Sequence, residues 1–347
     1  MAKTPQKGEV MEEILRNYFL RAGYYVARGV PYNYRGFGVT DIDLWLYGRN
    51  SSVSREIAIV DIKNKRTPQA IERIFWVKGL QAAMHASNAL VATTDKRQEV
   101  KEFGKELGVL VLDGNFISRL SRHQATWTER LTEEDFFGLL EEYKFGKIGG
   151  DWKGRYIDSK TLLSRGLSFD SCNTWLEHGR YFAEQVFVNP SQRELAYRLC
   201  FLVASYIAVA IDFLLRDMSF GEKSETEKKL REGFAYGSRG ESGVNSIINA
   251  SLALVEQFAD NGTAVSNQVR SNFAAEANRL PANILSEYFS KTEVGKSLLS
   301  TAIELEKLSM NNVFASHSSA SIDTRSLLGC LLDFWQLDRK QFSQEGA

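Results

Sequence analysis

Residues 41–63 read DIDLWLYGRNSSVSREIAIVDIK, and their periodicity decides the fold of the front of the chain. From Asp41 to Tyr47 the residues alternate, with Ile42, Leu44 and Leu46 toward one face and Asp43, Trp45 and Tyr47 toward the other. A period of two is the pattern of a strand. Ser51 to Ser54 make a turn, and Glu56 to Ile62 (EIAIVDI) form a second strand with the apolar density of one inside a sheet. Joined as a hairpin, the two strands bring Asp43 beside Asp61. Alternate side chains on a strand point the same way, so Asp61 and Lys63 share a face. Buried charge is costly unless it is paired or coordinates a metal. Two carboxylates and a lysine at one sheet edge therefore make a hard-oxygen site suited to Mg²⁺.

Outward from this hairpin, the chain opens with a helix over residues 8–22, stopped by Gly23, which tolerates positive φ. Tyr24 to Ala27 read as a short strand, and Pro31 to Gly38 (PYNYRGFG) as a loop carrying Arg35. After the hairpin, a helix is expected from Thr67 or Pro68 to His85, with Phe75 and Trp76 in its core rather than as a base-stacking platform. Residues 89–93 are a β segment, 96–107 a helix and 109–112 a last β segment that closes in the turn Asp113-Gly114. The order α-β-β-β-α-β-α-β predicts a mixed sheet flanked by helices.

The texture changes at residues 144–160, KFGKIGGDWKGRYIDSK, which are glycine-rich, basic and aperiodic, as in a linker. Beyond them the chain reads as helical. Ser191 to Glu194 form a capping box opening a helix that ends near Met218, and further helices are expected at about 222–233, 242–260, 263–278, 281–290, 292–309 and 320–336. The expected organisation is an α/β domain over 1–125, a connecting region over 126–160 and an all-α domain over 161–347.

Composition places the chain among globular proteins, with 44% hydrophobic and 25% charged residues. Net charge is zero but uneven: residues 1–120 hold 18 of the 43 Lys+Arg and 13 of the 43 Asp+Glu. A basic front half permits a phosphate-bearing partner, and an acidic back half suits protein contact better than DNA. The cysteines Cys172, Cys200 and Cys330 are far apart and odd in number, which predicts reduced thiols in a cytoplasmic protein. No apolar stretch follows the lysines of MAKTPQKGEV, so no secretory signal is expected. The apolar run Leu199 to Ile211 is too short to span a bilayer and predicts a buried core helix, with no membrane partner. The four histidines, His85, His123, His178 and His317, lack ligand spacing, which argues against zinc and histidine-based phosphodiesterase chemistry. Gly295-Lys296-Ser297 has no preceding strand or first glycine, so it is no phosphate-binding loop, and Gly36-Phe37-Gly38 opens no helix.

The ordered set D(x17)D-x-K from Asp43 to Lys63, behind a helix carrying Gly8, Glu12 and Gly23, resembles the PD-(D/E)xK nuclease superfamily. Within it, the similarity is to the Mrr-like restriction endonuclease and Holliday-junction resolvase branches. The tail NALVATTDKRQEVKEFGKELGVLVLDGNFISRL, residues 88–120, resembles the Mrr-like ending of strand, helix and final strand. The proline of the family name is absent, with Thr40-Asp41-Ile42 before Asp43. The resemblance covers about the first third of the chain.

The resemblance implies a restriction-endonuclease-like fold and a Mg²⁺-dependent DNA endonuclease, with Mn²⁺ as substitute, in a restriction or anti-phage setting. It implies Asp43, Asp61, Glu12 and the backbone carbonyl of Ile62 as metal ligands, and Lys63 as the residue that positions or deprotonates the attacking water. Asp41 competes with or joins Asp43, and Glu9 or Glu13 stands as an alternative to Glu12. Arg28, Arg35, Lys65 and Gln81 are candidate phosphate contacts. A homodimer is expected, because cutting both strands with one site per chain favours two-fold symmetry. The helical domain would serve dimerisation, target sensing or docking of a protein partner. The alternative is a nuclease-fold binding or regulatory protein with a degenerate site, its function carried by the helical domain.

Overall fold

A computed structural model describes residues 7–64, 69–122, 130–142 and 150–343. The first helix, α1 (Lys7–Arg21), leads through Gly23, at φ +91°, into β1 (Tyr25–Tyr34) and β2 (Phe37–Arg49). These two strands form a hairpin whose turn residues Arg35 and Gly36 both have positive φ. Such a turn matches the right-handed twist of the strands it joins. The segment expected as a loop over Pro31 to Gly38 is therefore the end of a long hairpin.

Next come β3 (Arg55–Lys63), α2 (Ala70–Met84), β4 (Asn88–Thr93), α3 (Gln98–Glu106), β5 (Val109–Leu112) and α4 (Gly114–Arg122). The five strands lie in chain order, with β1-β2-β3 antiparallel and β3-β4-β5 parallel. Helices α2 and α3 are the crossovers that parallel pairing requires. The expected closing turn at Asp113-Gly114 is instead the start of α4: the Asp113 carboxylate accepts a hydrogen bond from the Phe116 amide at 2.8 Å. Gly114 comes so close to the Thr94 carbonyl that a Cβ would collide with it.

One sheet face, with Val26, Leu44, Leu46, Val60 and Leu90, packs under Met11, Leu15 and Phe19 of α1 and Ile117 of α4. The other face, with Tyr25, Trp45, Tyr47, Ile59 and Val91, meets Ile74 and Val77 of α2, and its core runs on without a break into the helical half.

That half comprises α5 (Glu133–Glu142), α6 (Trp152–Arg165), α7 (Phe169–Val188), α8 (Arg193–Leu215), α9 (Lys223–Tyr236), α10 (Gly240–Phe258), α11 (Gly262–Arg279), α12 (Ala282–Phe289), α13 (Thr292–Met310), α14 (Ile322–Trp335) and α15 (Arg339–Ser343). The expected linker over 144–160 contains the start of α6, whose first turn is capped by Asp151 accepting from the Gly154 amide at 2.7 Å. Trp152, Tyr156 and Leu163 carry α6 into the core, so aperiodic composition concealed a helix docked on β1. The expected domains are thus joined by one shared core.

Helix α8 is the axis of this half. It is buried all round from Leu195 to Asp212, as a helix apolar on every face must be. Among the described residues one helix, Pro190–Met218, is long and apolar enough to cross a membrane, and 83% of its apolar window is buried inside the fold. The expected capping box does not form: α8 begins at Arg193 without a side-chain cap, and Glu194 pairs with Arg198 instead.

The two halves are also joined by charge. Asp212, with no solvent exposure, accepts from Tyr47 Oη at 2.5 Å, Arg49 Nη1 at 2.9 Å and Arg55 Nε at 2.6 Å. Removing one member of a buried ionic set leaves the others desolvated and unpaired. Asp212→Ala should destabilise the protein by roughly 3–5 kcal/mol in urea denaturation. A loss under about 1 kcal/mol would mean that Arg49 and Arg55 find other partners and that the tie is incidental.

Candidate metal centre at the parting of two strands

Strand β3 serves two partners. It pairs with β2 from Arg49↔Arg55 to Leu44↔Val60, and with β4 from Ala58↔Asn88 to Lys63↔Thr93. Beyond Leu44 and Val60, β2 follows β1 while β3 follows β4, and the two strands separate. One further step in the same register sets Asp43 opposite Asp61. Residues opposite one another on antiparallel strands have neighbouring side chains. The gap is closed by a side chain in place of a ladder bond: Asp43 Oδ2 accepts from the Ile62 amide at 2.5 Å.

The alternation read from the sequence breaks at this point. Leu44 and Leu46 lie in the α1 core, but Ile42 joins Trp45 and Tyr47 in the other one. On β1 the position facing Asp43, between Arg28↔Leu44 and Val30↔Ile42, is Gly29, with φ +59°. Positive φ is open to glycine at little cost and rotates the pleat.

Asp61 is 8% exposed, and both its oxygens are held by Arg73: Nε donates to Oδ2 at 2.7 Å and Nη2 donates to Oδ1. Lys63 Nζ lies 4.0 Å from Asp61 Oδ1, at the outer limit of an ion pair. Burial, together with the charges of Asp61 and Glu12, pushes the Asp43 carboxyl up to about 7, against the pull of the Ile62 amide and Lys63. Glu12 on α1 therefore bears on Asp43 electrostatically. Its own carboxyl is raised by burial, while Arg28 Nε donates to it at 2.6 Å. Glu13 turns away, to Arg16 and Arg28.

The sequence-predicted residues thus divide. Asp43 and Asp61 line one cleft and Lys63 lies 4.0 Å from Asp61, while Glu12 reaches Asp43 only through its charge. Asp41 is exposed but lines the same small cleft, of about 10 Å³, as Asp43, Asp61 and Trp76. That is space for about one water. Arg28 is committed to Glu12, Glu13 and Glu134, so it positions carboxylates rather than facing a phosphate. Gln81 donates to the Ser87 carbonyl at 3.0 Å and steadies the turn after α2, beside the Ile57 end of β3. Arg35 sits at the exposed hairpin tip over the Tyr34 ring, and Lys65 lies outside the described residues.

Sequence reasoning missed Arg73 and misplaced the aromatic pair beside it. Ala70, Ile74, Val77 and Leu80 form the buried stripe of α2, which leaves Phe75 and Trp76 59% and 42% exposed rather than in the core. The same spacing turns Arg73 and Trp76 toward the end of β3, and the Arg73 guanidinium lies 5.6 Å from the Trp76 ring centroid. The signal was available: a helix that follows a strand closely returns over that strand's end.

Among the described residues no three His, Cys, Asp or Glu side chains are grouped closely enough to hold an ion. The donor chemistry nevertheless suits a hard cation: two carboxylates lining one cleft, a third within electrostatic reach, and a carboxyl driven toward protonation first by burial, which a positive charge would oppose. At Asp61 that positive charge is supplied by Arg73. No protein-family profile, curated protein or solved structure matches the chain.

A carboxyl raised in the folded state binds a proton that the unfolded chain has already released between about pH 4 and pH 7, so metal-free stability should fall across that window. Asp43→Asn keeps an acceptor for the Ile62 amide and removes the titration. In EDTA its stability relative to wild type should rise from pH 4 to pH 7 and then level off. Parallel stability curves in urea would show that Asp43 is not held in this environment.

Proposed function

We propose that the chain is a Mg²⁺-dependent nuclease of the PD-(D/E)xK kind, hydrolysing phosphodiester bonds of DNA in a restriction or anti-phage defence setting. The observation that carries this reading is the opposition of Asp43 and Asp61 where β2 and β3 part, with Lys63 two residues on. Asp43, Asp61, Glu12 and the Ile62 carbonyl would hold the ion. An ion held by these residues would supply a water of lowered pKa and positive charge beside the scissile phosphate. Lys63 keeps its ammonium on the Asp61 side of the strand without a close pairing, so it can donate to the water and to a phosphate oxygen. Arg28 fixes the Glu12 side chain and limits its rotamers.

The hairpin of β1 and β2 extends about 20 Å past Asp43 at the strand's rise per residue. Its tip presents Tyr34, Arg35 and Phe37 to solvent. A basic, aromatic ribbon suits contact with nucleic acid, through phosphates and exposed bases. In the helical half, α10 exposes Ile247, Leu254 and Phe258, an apolar stripe suited to a protein partner or a second copy of the chain. A second reading, a nuclease-fold binding or regulatory protein, is favoured by the commitment of Asp61 to Arg73.

Incubation with plasmid, single-stranded DNA and RNA in Mg²⁺ or Mn²⁺ separates the two. The nuclease reading expects cleavage that EDTA abolishes and that Lys63→Ala and Asp61→Ala each reduce by about two orders of magnitude or more, the scale of losing one charge-stabilising group. Cleavage indifferent to both substitutions would remove this site from the reaction. Binding without cleavage of any substrate would favour the second reading.

A further inference from the structure

We infer that Arg73 is an internal counter-ion of Asp61 and must give up that carboxylate before a divalent cation can bind. The inference rests on the nuclease reading of the same site and adds to it a built-in gate on metal loading.

Three observations carry it. The guanidinium engages both oxygens of Asp61 as a fork, the geometry that matches a carboxylate best. A cation of fixed charge held there repels a second cation and shares the oxygens that a metal would need. Second, Arg73 has somewhere to go. Its side chain is partly exposed and already lies over Trp76 on the rim of the cleft, so the guanidinium can swing outward along the ring face while keeping that contact. Third, Lys63 already supplies a cation 4.0 Å from Asp61 Oδ1, so the carboxylate is not left without positive charge when Arg73 swings away. Lys63 stays at arm's length while Arg73 closes on Asp61, and this division of labour is what a purely structural ion pair does not require.

The test is Mn²⁺ binding by the full-length protein, read from the electron paramagnetic resonance of free Mn²⁺, with folding checked by circular dichroism. Arg73→Gln should bind Mn²⁺ about tenfold more tightly than wild type, the scale of one charge-assisted hydrogen-bonded pair. Arg73→Lys, which retains the charge but not the fork, should fall between them and serves if the glutamine variant does not fold. Asp61→Asn should weaken binding, and adding Arg73→Gln to it should bring no tightening, which assigns the effect to this pair. If wild type binds Mn²⁺ and Asp61→Asn loses it, yet the Arg73 variants bind no more tightly than wild type, the gate is overturned and the metal site stands. If neither folded wild type nor folded Arg73 variants bind Mn²⁺, the metal site itself is overturned, and the gate with it.

Discussion

Strand β3 runs antiparallel to β2 and parallel to β4, and only β4 stays with it to its end. Its pairing with β2 ends at Leu44 and Val60, and the sheet opens there. Backbone groups freed at such a gap need partners, which is why Asp43 reaches the Ile62 amide. The opening exposes polar backbone and sets Asp43 against Asp61 in the same step. Strand geometry therefore produces the concentration of negative charge, and Lys63, Arg73 and the hydrogen bond to Ile62 are the means by which the fold tolerates it.

The helical half has a direct physical bearing on that site. Arg28, buried beneath it, holds Glu12 and Glu13 of α1 and Glu134 of α5. Arg16, one turn further along α1, pairs with Glu13 and with Glu306 of α13, which also receives Arg130. Burial pushes the Glu306 carboxyl up to about 7 while Arg16 opposes the shift. Charges at this depth are tolerable only in matched sets, so the helix carrying Glu12 is held in register with α5 and α13. Asp212 makes the corresponding tie at the other end of the hairpin, joining α8 to Tyr47, Arg49 and Arg55. Displacing the helical half would disturb both sets of ion pairs.

The elements of the sheet and most helices were legible in the chain because each depends on a local period. EIAIVDI declares a buried strand, and LCFLVASYIAVAI, apolar on every side, declares a helix that must be enclosed. The shared face of Asp61 and Lys63 follows from period two alone, and the nearness of Asp43 from a hairpin of fixed geometry. The start of α6 escaped notice because its apolar residues are few and spaced among glycines and lysines, and its helicity is secured by the Asp151 cap and by docking on β1. The hairpin tip at Arg35-Gly36 escaped for the opposite reason: turn-forming residues within a strand pair resemble those of a loop.

What the sequence determined by itself was the order of elements and the pair of carboxylates with a lysine at one strand end, since both are properties of neighbouring residues and a repeat. What tertiary structure decided was everything set by contacts between distant segments: Arg73 closing on Asp61, Glu12 rather than Glu13 bearing on Asp43, Arg28 drawn inward to carboxylates, and one core running through both halves. Side-chain charge finds its partner only after packing has fixed which groups are removed from water together, and no spacing along the chain encodes that selection.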